Sequence, residues 1–268
     1  QAKDESFGKI EKFLYRSDEL GLLSRSLNNM TKDLQKRTKR AENSSADLAH
    51  EIRNPLASLK GASELLENTS DQSDRKKLIE ILSHDVSRID RLITDYSQML
   101  KDEASLSREK MKNLNLEDLI KNIVEEFNNN PAVVEKNIKF KIIREKLNGK
   151  DLQLTGIWNR LEQVFANCFA NAVSFSPNNG DILVNITSNK DMILIKIKDE
   201  GQGFTESDTE KIFRRFYSNR PKKFGEHSGL GLNIVKSIVE MHEGKIKASN
   251  RSDGKNGAEI ELQLPRQL

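Results

Sequence analysis

The feature that most limits how this chain can fold is a narrow apolar strip near its start. Leu20, Leu23, Leu27, Met30 and Leu34 are spaced 3, 4, 3 and 4 residues apart, the seam of a heptad repeat. Steps of 4 and 4 from Met30 through Leu34 to Thr38 break the repeat in the manner of a stutter, and it resumes at Ala41, Ser45, Leu48 and Ile52. One long helix is therefore expected to deliver the chain into the segment around His50. So narrow a strip does not sustain a helix alone in water, which implies a partner strand.

A second helix is expected from about Gln72 to Glu103, where Leu78, Ile81, Leu82, Val86, Ile89, Leu92, Ile93, Tyr96, Met99 and Leu100 make one broad stripe. The polar run from Asn68 to Asp74 reads as the turn before it. Two antiparallel helices with one apolar face each are half of a four-helix bundle, and dimerisation would complete it. After about Leu106 the texture changes. Short β-like runs at 138–143, 151–154, 181–187, 192–198, 245–249 and 258–264 alternate with helical patterns at 117–127, 159–175 and 232–242. That mixture predicts an α+β sandwich, one sheet covered on one face by helices. The expected fold is thus multidomain: a helical coiled coil and a dimeric antiparallel four-helix bundle, followed by an α+β sandwich.

Composition removes several function classes. With 35% hydrophobic residues among 268, the chain is too apolar to be disordered. Lys and Arg number 44 against 41 Asp and Glu, and the net +3 gives no electrostatic reason to expect nucleic acid. A single cysteine, Cys168, excludes a disulfide framework and a CxxC metal site, and on an apolar helix face it reads as core filler. No run of about 18 apolar residues offers a membrane span. The chain starts at Gln1 in mid-pattern, so it is expected to be a cytoplasmic piece of a longer protein.

Four segments could carry chemistry. In His50-Glu51-Ile52-Arg53-Asn54-Pro55 a carboxylate adjoins an imidazole, Asn54 shares its helix face at i+4, and Pro55 removes a helix hydrogen bond. A surface histidine on an amphipathic helix is the plain alternative. Asp199-Glu200-Gly201-Gln202-Gly203 follows a predicted strand. Its carboxylate could accept a hydrogen bond from an exocyclic amine such as adenine's, and its glycines allow close approach of a flat ring; a tight Asp-Gly turn is an equal reading. Gly225 to Leu232 is glycine-rich and runs into a helix, a phosphate cradle that matches neither the Walker nor the Rossmann pattern. Asn167 and Asn171 lie at i and i+4 in a helix and need partners, either an inter-helix hydrogen-bond pair or a hydrated Mg²⁺ with phosphates. Trp158 reads as packing, and His84, His227 and His242 lack metal-ligand spacing. The basic run Lys36 to Arg40 reads as a solvated helix face.

In this order the segments resemble those of bacterial two-component sensor histidine kinases. Asp18-Glu19-Leu20-Gly21 with the heptads looks like the end of a HAMP linker, His50 to Pro55 the H-box, and Arg160 to Pro177 the N-box. Asp199 to Gly203 looks like the G1 box, Ile212 to Tyr217 the F-box, and Gly229 to Leu232 the G2 box. The resemblance implies three domains: 1–40 as the C-terminal part of the HAMP linker, 41–105 for dimerisation and phosphotransfer, and 106–268 for ATP binding. It implies His50 as phosphoacceptor, Glu51 as its general base and Asn54 as the residue that positions water in dephosphorylation. Asn171 would ligate Mg²⁺ with Asn167 in support. Asp199 would hold the adenine amine, with Gly201 and Gly203 beneath the base and Phe175 stacked on it. Gly229, Leu230, Gly231 and Leu232 would flank the phosphates, and a lid from about Thr205 to Ser228 would bring Arg215, or second Arg220, to them. ATP, Mg²⁺, a homodimer and a response-regulator receiver domain are the implied cofactors and partners. The implied location is the cytoplasmic portion of a bacterial inner-membrane protein, joined to the membrane only through segments missing from this chain.

Two positions depart from the pattern: Ser174 stands where many relatives have Lys, and Ser218 where Arg is common. The Ser174-Phe175-Ser176-Pro177 and Ser228-Gly229-Leu230-Gly231-Leu232 segments look most like ChvG-type kinases. Two rival readings remain beside this one. One is an ATP-driven conformational machine of the gyrase and MutL kind, disfavoured by Asn167 where those enzymes carry a water-activating glutamate. The other is a non-catalytic dimeric scaffold, kept alive by Ser174 and Ser218.

Overall fold

The computed structural model describes residues 13, 15–106, 109–145, 152–205, 209–217 and 229–266. It divides into two compact units, 1–57 and 58–268. Helix α1, Glu19–Asn68, opens with the Asp18 carboxylate accepting the Gly21 N–H at 3.1 Å, a side-chain N-cap. It runs through Pro55 without ending. In the single chain Leu20, Leu23, Leu27, Met30 and Leu34 are all exposed, as an unpartnered heptad seam must be.

Within the second unit, α2 spans Gln72–Leu106. The turn before it is tighter than the polar run suggested, because Asp71 caps the new helix by accepting from Ser73 and Asp74 N–H groups at 2.8 and 2.9 Å. Arg75 reaches back to the carbonyls of Leu66 and Thr69 and satisfies the end of α1. Leu92 and Asp85 are buried on one side of α2. On another side Ile79, Val86, Ile93 and Leu100, seven residues apart in turn, are 50, 57, 49 and 42% exposed.

The remaining elements are β1 (Lys112–Asn115), α3 (Leu116–Asn128), α4 (Pro131–Lys136), β2 (Lys139–Arg144), β3 (Gln153–Gly156), α5 (Trp158–Phe175), β4 (Asp181–Ser188), β5 (Met192–Lys198), a 3₁₀ turn (Thr209–Phe213), α6 (Gly231–Met241), β6 (Lys245–Asn250) and β7 (Ala258–Pro265). Five strands form a sheet in the order β2-β4-β5-β7-β6, parallel only between β2 and β4. The expected single sheet is corrected: β1 and β3 pair separately as an antiparallel ribbon. The short run Lys112–Asn115 carries little alternation, so its strand character comes from the partner. The strand expected at 151–154 is also displaced, to Gln153–Gly156, and its first expected residue, 151, lies outside the described set.

Helix α3 shows how the sequence builds this unit. Asn115 caps it by accepting the Glu117 N–H at 2.9 Å, and Leu116, Leu119, Ile120, Ile123 and Val124 recur on one face, all buried. On the sheet, Ile182, Val184 and Ile186 of β4 and Ile193, Ile195 and Ile197 of β5 alternate inward at period two. Phe127, Phe140 and Phe169 meet edge to face at 5.2–6.0 Å between centroids and lock α3, β2 and α5 together. The core that results supports α5, β5 and the start of α6, the elements that line a cavity. Trp158, expected to be packed, begins α5 with 37% of its surface exposed. No helix among the described residues is long and apolar enough to cross a membrane.

Candidate functional site

Helix α5 sends its apolar residues Leu161, Val164, Phe165 and Phe169 into the core, and the face that remains borders a cavity of about 370 Å³. Gln163, Asn167, Asn171 and Phe175 line it at four-residue intervals, one row along the helix. The two asparagines are therefore brought together with Phe175 as the pattern predicted. Gln163 was not singled out in the sequence, although its spacing from Asn167 is the same four residues. Cys168 is only 2% exposed, and burial pushes its thiol up to about 12, as core filler should behave; it also lines the cavity floor.

At the end of β5, Asp199 lines the same cavity and is buried. Its Oδ1 accepts the N–H groups of Gly201 at 2.8 Å and Ala258 at 3.0 Å, whereas Oδ2 accepts nothing among the described residues. Burial raises its pKa, and the two backbone donors and nearby Arg251 oppose that rise. A Cβ on Gly201 would lie 2.9 Å from the Phe175 carbonyl and 3.1 Å from its Cβ, so glycine lets this turn press against Phe175. Gly203 has φ +77°, a conformation that favours glycine.

The third wall is the start of α6. Leu230 caps this helix without a side-chain hydrogen bond, and Gly229, Leu230, Gly231 and Leu232 line the cavity. Gly229 has φ +72°, and a Cβ there would strike the backbone of Phe216 at 2.7 Å. Gly231 differs: an added Cβ would meet only the Asn167 amide, at 3.6 Å, so packing within the chain does not demand glycine there. Arg215 is half-buried and its Nε donates to Asn233 at 3.3 Å, while Asn233 holds the Phe213 carbonyl at 2.8 Å. Arg220, Ser218, His227 and most of the expected lid lie outside the described residues. Asp95 and Gln98 of α2, which no motif marked, also line the cavity.

His50, Glu51 and Asn54 all lie on α1, in the first unit. His50 and Asn54 are exposed and Glu51 half-exposed. The uninterrupted helix keeps His50 and Asn54 on one face at i, i+4. His84 also adjoins a carboxylate, Asp85 Oδ1 at 3.3 Å, but Arg88 occupies its i+4 position. Among the described residues no cluster of three His, Cys, Asp or Glu side chains could hold a metal.

An exposed histidine on a two-helix segment, followed by a sandwich with a glycine-lined cavity, defines a class that the comparisons identify. A model of the His kinase A (phospho-acceptor) domain matches residues 40–105, and one of the histidine kinase-, DNA gyrase B- and HSP90-like ATPase matches residues 156–268. The chain belongs to the sensor histidine kinases. It is similar to the sensor protein ChvG of Rhizobium meliloti, 36% identical over 96% of this chain and 46% of that one, and to ChvG of Agrobacterium fabrum, 35% identical over 96% and 44%. It thus spans less than half the length of these relatives. Among solved structures it is similar to the catalytic domain of histidine kinase ThkA, with 28% identity, TM-score 0.51, and coverage of 59% of this chain and 97% of that one. The structure of ThkA in complex with response regulator protein TrrA aligns with 25% identity, TM-score 0.62, and coverage of 89% and 66%.

Proposed function

We propose that this chain transfers the γ-phosphoryl group of ATP to His50 and then to an aspartate of a response-regulator receiver domain. The observation that carries the reading is Asp199, which lines the cavity: one carboxylate oxygen is used by backbone donors and the other has no partner among the described residues. An oxygen that accepts at that point selects an amine, as adenine presents, over a carbonyl. Phe175 offers the ring face, and Gly231 leaves room beside the α6 N-terminus for phosphate oxygens.

In the transfer, one imidazole nitrogen of His50 attacks the γ-phosphorus. A P–N bond forms, the bond to the ADP oxygen breaks, and Glu51 takes the proton from the other nitrogen. Asn167 and Asn171 both line the cavity; the Asn171 amide oxygen is a hard neutral donor that suits Mg²⁺, which prefers few protein ligands beside phosphates and water, and Asn167 would support the metal and phosphates. Bound there, Mg²⁺ would neutralise charge on the phosphate oxygens. Arg215 or Arg220 would add a cation from the lid. Asn54 would orient water for dephosphorylation of the regulator. Residues 1–40, 41–105 and 106–268 would serve as HAMP end, dimerising phosphotransfer domain and ATP-binding domain, the two copies acting as a homodimer on the cytoplasmic side of a membrane.

The test is incubation of the chain with γ-labelled ATP and Mg²⁺, where an acid-labile label that His50→Gln abolishes is expected. Asp199→Asn should weaken ATP binding roughly 10- to 150-fold, the loss of one charged hydrogen bond. Label retained in His50→Gln would refute the assignment.

A further inference from the structure

The loop from Asp199 to Phe204 is bound at both ends to one short stretch of β6 and its turn. At the far end, the Asn250 side chain accepts the Phe204 N–H at 2.6 Å and donates to the Phe204 carbonyl at 2.9 Å, pairing with that residue as a neighbouring strand would. A Cβ on Gly203 would meet Asn250 Oδ1 at 2.6 Å, so the glycine is needed where the amide docks. At the near end, Arg251 Nη1 donates to the Asp199 carbonyl at 2.9 Å. Arg251 is itself fixed: its side chain is 4% exposed, and Nε and Nη2 donate to the two Asp253 oxygens at 3.0 and 2.8 Å. A Cβ on Gly257 would strike the Asp199 carbonyl at 2.0 Å, so the backbone after the turn also closes on Asp199.

We infer that Asn250 and Arg251 are positioning residues of the nucleotide site, a two-point clamp that holds the Asp199–Phe204 loop so that the free Asp199 oxygen meets the amine of an adenine base. Neither residue lines the cavity. Both act through the loop backbone, Arg251 on the residue that recognises the base and Asn250 on the end of the turn beneath it. The inference rests on the reading of Asp199 as the adenine acceptor given above. A clamp of this kind sets base selectivity, because a loop allowed to drift loses the amine contact while keeping its general contacts to ribose and phosphates.

The experiment uses the full chain and compares binding of ATP with ITP, which carries a carbonyl in place of the adenine amine. Phosphohistidine formation is followed at limiting and saturating ATP. Wild type should prefer ATP. Asn250→Ala and Arg251→Ala should each narrow that preference and raise KM for ATP on the order of tenfold, with kcat changed far less. Arg251→Lys, which keeps one donor for the Asp199 carbonyl, should recover part of the loss. A merely structural role predicts instead a smaller active fraction, seen as lower kcat with the ATP-to-ITP ratio unchanged, and that result overturns the inference. Asp199→Asn separates the two levels. If it abolishes the preference while the clamp variants keep it, the reading of Asp199 stands and the clamp fails; if it too keeps the preference, both fail. Should Arg251→Ala not fold, Asn250→Ala decides alone, since that side chain is exposed and, among the described residues, bonds only Phe204.

Discussion

His242 Nε2 accepts the backbone N–H of Ile157 at 3.0 Å. An amide can only donate, so this nitrogen carries no proton, and the proton on Nδ1 goes to the Ile238 carbonyl at 2.8 Å. The ring therefore holds one neutral tautomer. It supplies the cap that α5 lacks, since Ile157, the residue before the helix, makes no side-chain hydrogen bond as its N-cap. The last residues of α6 are in this way tied to the start of the helix that carries Asn167 and Asn171. Gly156 makes space for the ring, because a Cβ there would lie 3.0 Å from its Cδ2.

This arrangement predicts acid sensitivity. Burial lowers the pKa of His242 below its ordinary 6.5, with the Ile238 carbonyl opposing the shift. The unfolded chain therefore binds a proton before the folded one does. Stability from this group is complete above about pH 6.5 and falls as the pH drops toward the lowered folded value. His242→Gln, which keeps an acceptor for Ile157 but does not titrate, should show a smaller Tm loss than wild type between pH 7.5 and 5.5. Equal losses in the two proteins would remove His242 as the cause.

Lys136 predicts a second dependence. Its ammonium donates to the carbonyls of Val173, Ser174 and Ser176 at 2.9, 2.9 and 3.1 Å, closing the C-terminal end of α5 around Phe175. Burial lowers its pKa, yet three carbonyl acceptors keep the charged form bonded. Lys136→Met should destabilise the domain by about 1.5–3 kcal/mol, measured by urea denaturation, and weaken ATP binding in proportion to the freedom gained by Phe175. Unchanged stability would mean that water replaces the ammonium without loss.

The long helices and the five strands of the main sheet were legible because burial imposes its period on the residues: every third or fourth in α3, every second in β4 and β5. The cavity was half legible. Asn167, Asn171 and Asp199 are polar residues in apolar surroundings, which a sequence displays by itself. Lys136, His242 and Arg251 were not legible, because each serves carbonyls or amides 37 to 85 positions away and leaves no local pattern. The strand Lys112–Asn115 was missed for the same reason, its pairing with Gln153–Gly156 being the only source of its order.

The exposed strip on α2 predicts an assembly. Ile79, Val86, Ile93 and Leu100 follow one another at seven-residue spacing and are exposed, whereas Leu92 is buried. Val86 and Ile93 are already about half covered, so burying the rest in both copies of a symmetric dimer would contribute about 0.8–1.5 kcal/mol per side chain, or roughly 3–6 kcal/mol in total. Val86→Glu with Ile93→Glu should therefore give monomers at micromolar concentration by light scattering. ATP binding should survive, because neither residue borders the cavity. A dimer that persists would place the interface on another face.

Asn54 predicts a separation of two activities. It lies one helical turn beyond His50 on the same face, and both side chains are exposed. An amide acts as neither acid nor base near neutral pH, so autophosphorylation, in which Glu51 takes the imidazole proton, does not require it. An aspartyl phosphate docked against this face would be attacked by water instead, and an amide one turn from His50 is placed to orient that water. Asn54→Ala should leave phosphohistidine formation within about twofold, yet slow regulator dephosphorylation by on the order of tenfold or more, a loss equal to one oriented hydrogen bond. The measurement starts from purified phosphorylated regulator, freed of ATP, and follows its decay after adding each variant with ADP and Mg²⁺. If Asn54 only packs before Pro55, both rates should fall together as the helix shifts, and the proposed role in water positioning would be lost.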